Sequence, residues 1–127
     1  MTVESFRDLR VYQRAYSVSL EIHKASLMFP QLEQYSGLAK QIREASKSIC
    51  ANLAEGFGKQ NYSRKEYTRF IAIAIGSSDE MKTWLDYAKD LGYISKSQHQ
   101  AWQEEYTEIS KMLVKLYAHF IRIGTDS

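Results

Sequence analysis

Apolar residues recur at alternating steps of four and three along the last part of the chain, and this spacing constrains the fold more than any other feature. A helix would gather them into one stripe, formed by Trp102, Tyr106, Ile109, Leu113, Leu116, Phe120 and Ile123. A stripe of this period packs against a near-parallel neighbouring helix. No segment alternates apolar and polar residues as a strand would. The sequence therefore predicts an all-α protein.

Four helices are predicted, and the connections between them are short. Their expected bounds are about residues 6–28, 37–57, 63–90 and 97–123. The single proline, Pro30, ends the first helix, because the residue before a proline disfavours the α conformation. Short connections place successive helices antiparallel, so we expect an up-down-up-down four-helix bundle. At 127 residues, the chain is expected to form one domain, residues 1–127.

Residues that start and stop helices support these bounds. Ser36 is the expected N-cap of the second helix. Ser63 and Glu66 form the pattern of a capping box at the start of the third, in which each side chain accepts from the other residue's backbone. Ser95 is expected to cap the fourth helix. Glycines are expected to close the last three helices, at Gly56 and Gly58, at Gly92 and at Gly124.

The composition excludes several classes of protein. A single cysteine, Cys50, excludes an internal disulfide and suits a reducing compartment. The first residues are charged and lack the apolar segment of a secretory signal. No stretch approaches the ~18 apolar residues of a membrane span. We therefore expect a cytoplasmic protein with no membrane partner.

The first predicted helix carries two apolar stripes. The first stripe is Leu9, Tyr12, Tyr16, Leu20, His23 and Leu27, and the second is Val11, Ala15, Val18, Ile22 and Ala25. A helix that is apolar on two sides is buried against more than one neighbour. The second stripe has no evident partner within the chain, so lateral association into a homo-oligomer is expected. A monomer with a large core is the alternative.

Polar residues recur beside the apolar face of the second helix and on the third helix. We expect five of them to form a buried structural polar layer, made of Ser48, Asn52, Glu55, Ser77 and Glu80. Small residues such as Gly76 would let the two helices approach closely. Buried polar groups that stay unpaired cost about 1–3 kcal/mol each, so a paired layer would fix the register of the helices.

A catalytic or metal-binding role for Glu55 and Glu80 is the alternative. In antiparallel helices these two carboxylates would lie on the order of 20 Å apart. Di-iron bundles use Glu-x-x-His, and no glutamate here has a histidine three residues later. We therefore expect no catalytic residue, no metal site and no cofactor.

The formal net charge is only +2, which by itself does not indicate nucleic-acid binding. A bundle would nevertheless place eleven cations and five acids towards one end, and six cations and ten acids towards the other. We call the first end the basic pole. Its acids are Glu4, Asp8, Glu55, Glu66 and Asp126, and three of its cations are Lys47, Lys111 and Lys115. The other eight cations are the candidate nucleic-acid-binding residues: Arg7, Arg10, Arg14, Lys59, Arg64, Lys65, Arg69 and Arg122.

Two tyrosines, Tyr62 and Tyr67, lie among these cations in the sequence. Aromatic side chains stack on bases in proteins that bind single strands, while cations contact phosphates. The alternative for the same charges is a solvated surface without a nucleic-acid partner. Charge segregation alone does not choose between them.

Several motifs occur in an order that resembles one bacterial family. They are Phe6-Arg7-Asp8-Leu9, Phe29-Pro30, Tyr35-Ser36-Gly37-Leu38, Gln41-Ile42-Arg43, Ser48 to Gly56, Gly76 to Glu80 and Leu91 to Ile94. Over nearly the whole chain they resemble the four-helix-bundle family of 23S rRNA intervening-sequence proteins. Tyr12 stands where a tryptophan is frequent in that family, and Leu53 where an isoleucine is common.

The resemblance implies an antiparallel bundle that assembles as a homopentamer and has no established activity. A related protein, the accessory variability protein of diversity-generating retroelements, forms a pentameric barrel that binds a reverse transcriptase and nucleic acid. The partners that the resemblance implies are therefore copies of the chain itself, RNA or DNA, and a reverse transcriptase or another protein.

Two functions from different classes remain open. One is a non-enzymatic oligomeric adaptor that binds nucleic acid through the basic pole. The alternative is a protein–protein interaction scaffold with no affinity for nucleic acid. An enzyme would need titratable groups clustered in a pocket, and the sequence does not supply them.

Overall fold

The computed structural model describes the backbone of residues 3–126 and side chains as far as residue 122. Its helices are α1 (Arg10–Ser26), α2 (Leu38–Phe57), α3 (Arg64–Asp90) and α4 (Lys96–Asp126), with short 3₁₀ helices at Phe6–Asp8 and Gln31–Glu33. These described residues contain no strand. The all-α prediction is confirmed. The side chains of Ile123 and Asp126, which the sequence placed in the seam and the basic pole, lie outside the described part.

Successive helices run antiparallel, as predicted for a four-helix bundle. The end of α2 lies on the start of α3, where Gly56 packs against Phe70. The middle of α3 meets the middle of α4, where the Ser78 hydroxyl donates to the Tyr106 carbonyl at 3.3 Å. The end of α1 meets the start of α2, where Arg43 Nε donates to Ser26 Oγ at 2.7 Å. The contacts of α2 with α3 and of α3 with α4 are the most extensive. Among the α-helix pairs that touch, α1 and α4 have the smallest contact.

The apolar stripe of α4 lies in the core. Trp102, Tyr106, Ile109 and Leu113 are buried, and the later seam residues Leu116 and Phe120 are half-buried. Large side chains of the other helices belong to the same core cluster, among them Ile22, Ile42, Ile49, Leu53, Met81 and Leu85. Each fully buried aliphatic side chain of this size stabilises the fold by about 1.5–3 kcal/mol. The apolar residues that repeat along α4 therefore form one side of the core.

The two stripes of α1 exchange the roles expected from the sequence. Val11, Ala15, Val18 and Ile22 of the second stripe are buried in the bundle, so the prediction that this stripe lacks a partner in the chain is wrong. The exposed apolar residues come from the first stripe: Tyr16, Leu20 and Leu27. Two apolar stripes of similar strength do not reveal which one faces the core.

The first helix is shorter than predicted, because the residues before Arg10 form a separate 3₁₀ helix. Ser5 Oγ accepts from the Arg7 amide at 3.2 Å, and Asp8 Oδ2 accepts from the Ser5 amide at 3.0 Å. This capping box closes the 3₁₀ helix, and Leu9 is extended at φ −68°, ψ 124°. The α-helix therefore begins at Arg10. It ends at Ser26, before the Pro30 turn.

The N-cap predicted for α2 is also wrong. Gly37, and not Ser36, occupies the cap position and offers no side chain. Glu33 takes over the cap, since its Oε1 accepts from the Leu38 amide at 2.9 Å. Its Oε2 accepts from the Tyr93 hydroxyl at 2.8 Å, which ties the α1–α2 connection to the α3–α4 turn. Both bonds favour the charged form and lower the Glu33 pKa, the Leu38 amide having the larger effect.

The caps of α3 and α4 differ in completeness. Ser63 Oγ accepts from the Glu66 amide at 3.1 Å, but the Glu66 carboxylate binds Arg69 instead of returning to Ser63. The capping box of α3 is therefore half formed. At α4, Ser95 Oγ accepts from the Gln98 amide at 3.0 Å and Gln98 Oε1 accepts from the Ser95 amide at 2.8 Å. The cap predicted at Ser95 is confirmed.

The glycines differ in their structural roles. Gly92 closes α3 with φ +79°, a left-handed conformation that disfavours other residues. α4 continues past Gly124 to Asp126, so a stop at Gly124 is wrong. The close approach of α2 and α3 lies at Gly56, where an added Cβ would meet Phe70 Cβ at 2.7 Å and Tyr67 Cδ1 at 3.1 Å. An added Cβ at Gly76 would meet nothing within 4 Å, so Gly76 is not the contact that the sequence suggested.

We predict opposite effects of alanine at these two glycines. Gly56→Ala forces α2 away from α3 and lowers the free energy of unfolding by about 1–3 kcal/mol, the cost of overpacking. Gly76→Ala raises it by about 0.5–1 kcal/mol, because alanine is the better residue in an exposed helix interior. Urea denaturation of both variants measures this difference. A Gly56→Ala variant as stable as the wild type would contradict the close contact.

Three of the five residues of the expected polar layer come together between α2 and α3. Ser77 Oγ donates to Ser48 Oγ at 2.9 Å, across the two helices. Asn52 Nδ2 donates to the Ser48 carbonyl at 2.8 Å and to Ser48 Oγ at 3.0 Å, within α2. Glu55 and Glu80 are exposed and do not join them. Glu80 instead accepts from Trp84 Nε1 at 3.0 Å.

A second polar layer, between α3 and α4, was not foreseen from the sequence. Ser78 and Ser110 are buried, and their hydroxyls lie 2.7 Å apart. Ser110 Oγ donates to Asp79 Oδ1 at 3.0 Å. The signal in the sequence was weak, because a lone serine on a helix resembles any surface position.

We predict that Ser48 and Ser77 are energetically coupled. Each alanine substitution lowers the free energy of unfolding by about 1 kcal/mol, the usual net value of one hydrogen bond. The double variant loses less than the two single losses combined, because both remove the same bond. A double-mutant cycle in urea measures the coupling. Strictly additive losses would show that the two hydroxyls do not stabilise each other.

Candidate nucleic-acid interface

The α2–α3 turn presents three cations and one exposed aromatic ring. Arg64 and Lys65, in the first turn of α3, are exposed, and Lys59 is half-buried. Tyr62 is 73% exposed, and Lys59 Nζ lies 6.0 Å from the centre of its ring. Cations can bind a phosphate, and an exposed ring beside them can stack on the neighbouring base.

Buried aromatic rings hold this turn against the end of α4. Tyr67 is buried, and its ring centre lies 6.2 Å from that of Phe57 and 4.7 Å from that of Phe120. Because Tyr67 is buried, its ring is not available to stack on a base, and the same burial raises the pKa of its hydroxyl to about 12. Arg122 follows Phe120 by one more half-turn and therefore lies at the same end of the bundle.

Arg69 is partly engaged within the chain. Its Nε donates to Glu66 Oε2 at 2.8 Å, and its guanidinium lies 4.6 Å from the Phe70 ring centre. The hydrogen bond from Arg69 lowers the Glu66 pKa, and the charges of Lys59 and Lys65 lower it further. Glu66 therefore stays charged and offsets part of the positive field of the turn.

The remaining candidate cations lie away from the turn. Arg14 Nε donates to Glu105 Oε1 at 3.0 Å, and Arg14 Nη1 approaches Met112 Sδ at 3.9 Å. These partners place Arg14 beside the middle of α4, about 20 Å along the bundle from Arg64 at the helical rise. The Arg7 carbonyl accepts from Gln13 Nε2 at 2.9 Å, and Arg10 is one turn before Arg14, so both also lie along the side of the bundle.

Three more cations that the sequence placed in the basic pole lie near mid-height. Lys47 precedes Ser48 of the α2–α3 polar layer, and Lys111 follows Ser110 of the α3–α4 polar layer. Lys115 is one turn beyond Lys111. The charge of the basic pole is therefore spread over the length of the bundle. Its end is formed by Lys59, Arg64, Lys65, Arg69 and Arg122.

No group of side chains in the described part of the chain has the composition of a metal site. Cys50 is largely buried, and burial raises the pKa of its thiol to about 11, so it remains protonated. His23 has a buried Nδ1 without a hydrogen-bond partner, and its pKa is lowered by burial first and then by Lys47 and Arg43. Along residues 3–126, no helix is long and apolar enough to cross a bilayer.

Comparisons with known proteins show which other proteins share this architecture. No curated protein matches the chain. A crystallised protein of unknown function from the S23 ribosomal protein family of Bacteroides thetaiotaomicron superposes with a TM-score of 0.75 and 24% sequence identity. The match covers 85% of this chain and 95% of that one, and at this identity it shows the fold alone. The model of the 23S rRNA-intervening sequence protein family matches residues 7–115, and the chain therefore belongs to that family.

Proposed function

We propose that this protein is a non-enzymatic, homo-oligomeric adaptor that binds RNA or DNA at the α2–α3 turn. The observation that carries the proposal is the exposed ring of Tyr62 in a turn with three cations: Lys59 lies 6.0 Å from the ring centre, and Arg64 and Lys65 are exposed in the first turn of α3 that follows. Neither the family description nor the description of the structural neighbour names an enzymatic activity. The proposed site therefore includes only some of the eight cations predicted from the sequence, those at the α2–α3 end of the bundle.

The proposed oligomer is a homopentamer, as the resemblance implies. Its support in this structure is an apolar groove of about 290 Å³ on the outer side of α1 and α2. Tyr16 is 50% exposed and Leu20 is 45% exposed along this groove, and Ala51 and Ala54 line its α2 side. Apolar surface of this kind usually marks an interface. A ring would bring several copies of the α2–α3 turn together and multiply their field.

A protein scaffold without nucleic-acid affinity is the second candidate, and a separate observation favours it. Large apolar side chains are exposed at the opposite end of the bundle: Leu27, Met28, Leu32, Tyr35 and Leu91. The two connections that carry them are joined, since the ring centres of Phe29 and Tyr93 lie 5.1 Å apart. A reverse transcriptase is the protein partner that the resemblance suggests for such a surface.

We predict that R64E/K65E/R69E weakens the binding of single-stranded oligonucleotides. For the wild type, the logarithm of the affinity falls as the logarithm of the salt concentration rises. Losing three phosphate contacts makes that slope shallower by about 2 and lowers the affinity at low salt by at least about tenfold. Fluorescence anisotropy with labelled RNA and DNA of one sequence measures both quantities.

The matched control is K24E/K89E/K96E, which changes the net charge equally at the opposite end of the bundle. It keeps most of the wild-type affinity if the turn is the site. Equal losses in both variants would show that only the net charge matters. Unchanged binding by R64E/K65E/R69E would reject the site.

We predict that Leu20→Lys prevents the ring from closing. A lysine in the α1–α2 groove places an unpaired charge in the proposed interface, while its exposed position leaves the fold intact. Light scattering after size exclusion then gives a mass well below that of five chains. A variant that still forms the wild-type assembly would exclude this groove as the ring contact.

A further inference from the structure

The outer side of α3 carries a second row of residues with the spacing of a helix seam. We call it the α3 outer stripe, and its members, three or four residues apart, are Ile73, Gly76, Glu80, Trp84 and Tyr87. Ile73 is 40% exposed and Tyr87 is 55% exposed. The ring centres of Trp84 and Tyr87 lie 6.1 Å apart. Residues with this spacing pack against a neighbouring helix, yet within one chain they stay exposed or half-buried.

The stripe lies on the flank of α3 that faces α2. Ser77 donates to Ser48 of α2, and Ile73, Glu80 and Trp84 are four residues before, three after and seven after Ser77. Helical spacing puts them on the same flank. The opposite flank faces α4, where Asp79 accepts from Ser110 at 3.0 Å. The stripe is therefore on the α2–α3 side of the bundle.

This side stands in the right relation to the α1–α2 groove for a closed ring. The helices contact in the order α1, α2, α3, α4 and back to α1, so the α2–α3 side adjoins the α1–α2 side. Adjacent sides of a four-helix bundle face about 90° apart. The two contacts of each copy in a ring of five are about 108° apart, whereas contacts on opposite sides build an open fibre. The α3–α4 side is therefore excluded as the partner of the groove.

The α1–α4 side also adjoins the groove, but its chemistry does not suit an apolar partner. Arg14, Glu104, Glu105 and Glu108 line a polar cavity there. Arg14 is already held in it, since its Nε donates to Glu105 Oε1 at 3.0 Å. The α3 outer stripe instead combines apolar side chains with a single acid, Glu80. Of the two sides that adjoin the groove, only the α2–α3 side matches it.

The groove and the stripe also lie at the same level along the bundle. Ser48 of α2 is level with Ser77 of α3, because their hydroxyls lie 2.9 Å apart. Glu80, three residues after Ser77, is therefore within about 3 Å of the level of Lys47 at the helical rise. Lys47 lines the groove. Rotation about an axis along the bundle moves no residue up or down, so surfaces that meet in a ring must share a level.

We infer that the α3 outer stripe of one copy packs into the α1–α2 groove of the next copy. The inference rests on the proposed homopentamer and names the second of the two surfaces that close it. Ile73 then covers Tyr16 and Ala51 of the neighbour, which are exposed in one chain. Glu80 faces Lys47 of the neighbour. The contact is repeated at every interface of the ring.

The charges of Lys47 and Glu80 complement each other across this contact. No ion pair between the described side chains includes either residue. Glu80 Oε1 accepts from Trp84 Nε1 at 3.0 Å, which positions the carboxylate without neutralising it. Lys47 has cationic surroundings, because Lys47 and Arg43 both add to the effect of burial in lowering the pKa of His23. An acid from the next copy is the charge that this part of the groove lacks.

Reversal of these two charges tests the inference. In K47E two acids meet at every interface, and in E80K two cations meet. Each variant is expected to raise the chain concentration at which half of the assembly dissociates by at least about tenfold at low salt, because like charges in contact are costly. K47E/E80K restores an opposite pair at every interface and recovers the wild-type value. Sedimentation equilibrium measures all three variants.

The controls for net charge are K96E and E104K, which alter exposed residues outside both surfaces and keep the wild-type assembly. Ile73→Lys, which places a charge in the apolar part of the contact, is expected to dissociate the ring, and Val114→Lys on the α3–α4 side is its control. Far-ultraviolet circular dichroism verifies that every variant is folded. A K47E/E80K variant that stays dissociated would overturn the pairing of Lys47 with Glu80.

Failure of this inference is distinguishable from failure of the proposed function. If Leu20→Lys dissociates the ring while E80K and Ile73→Lys keep it, the groove is a ring contact and the stripe is rejected as its partner. A wild type that is monomeric rejects the ring and the stripe together. Oligonucleotide binding by the α2–α3 turn is measured separately through R64E/K65E/R69E, whose substitutions lie outside the stripe.

Discussion

The approach of α2 to α3 at Gly56 sets the position of every other feature at that end of the bundle. The α2 backbone lies so close to Phe70 that a single methyl group would collide with its Cβ. Further along the same contact, the Ser77 hydroxyl reaches Ser48 and fixes the axial register. With both helices held in this way, the turn between them projects beyond the core. Lys59, Arg64 and Tyr62 therefore stand at the end of the molecule, supported by the buried ring of Tyr67.

The fold could be predicted from the sequence because its strongest signals are periodic. The α4 seam repeats over many residues, and three of the four helices begin within one residue of the expected position. The first helix departs from prediction because its start depends on one local competition. Ser5 and Asp8 satisfy each other in a 3₁₀ helix, and that motif is too short to leave a periodic pattern. The cap of α2 was missed for a related reason, since Glu33 reaches it across a folded connection.

The candidate site could be predicted only in outline. Counting charges by helix end assumes that all four helices share one length and start together. α1 has 17 residues and α4 has 31, so the cations of α1 and the middle cations of α4 lie along the side of the bundle. The charges of Glu55 and Glu80 illustrate the same limit, because helical spacing places a residue near a face but does not decide whether it is buried. Burial was predictable for the seam residues, whose neighbours in the pattern are all apolar.

The symmetry of the proposed homopentamer bears on how the basic turns would be displayed. A ring needs two different surfaces that meet head to tail, and the α1–α2 groove is one such surface. The copies of such a ring are related by rotation about a single axis. Because rotation about this axis keeps every chain in the same orientation along it, the basic turns of all copies lie on the same side of the ring. Nucleic acid would then be bound on that side of the assembly, where the positive charges of the copies add to one another.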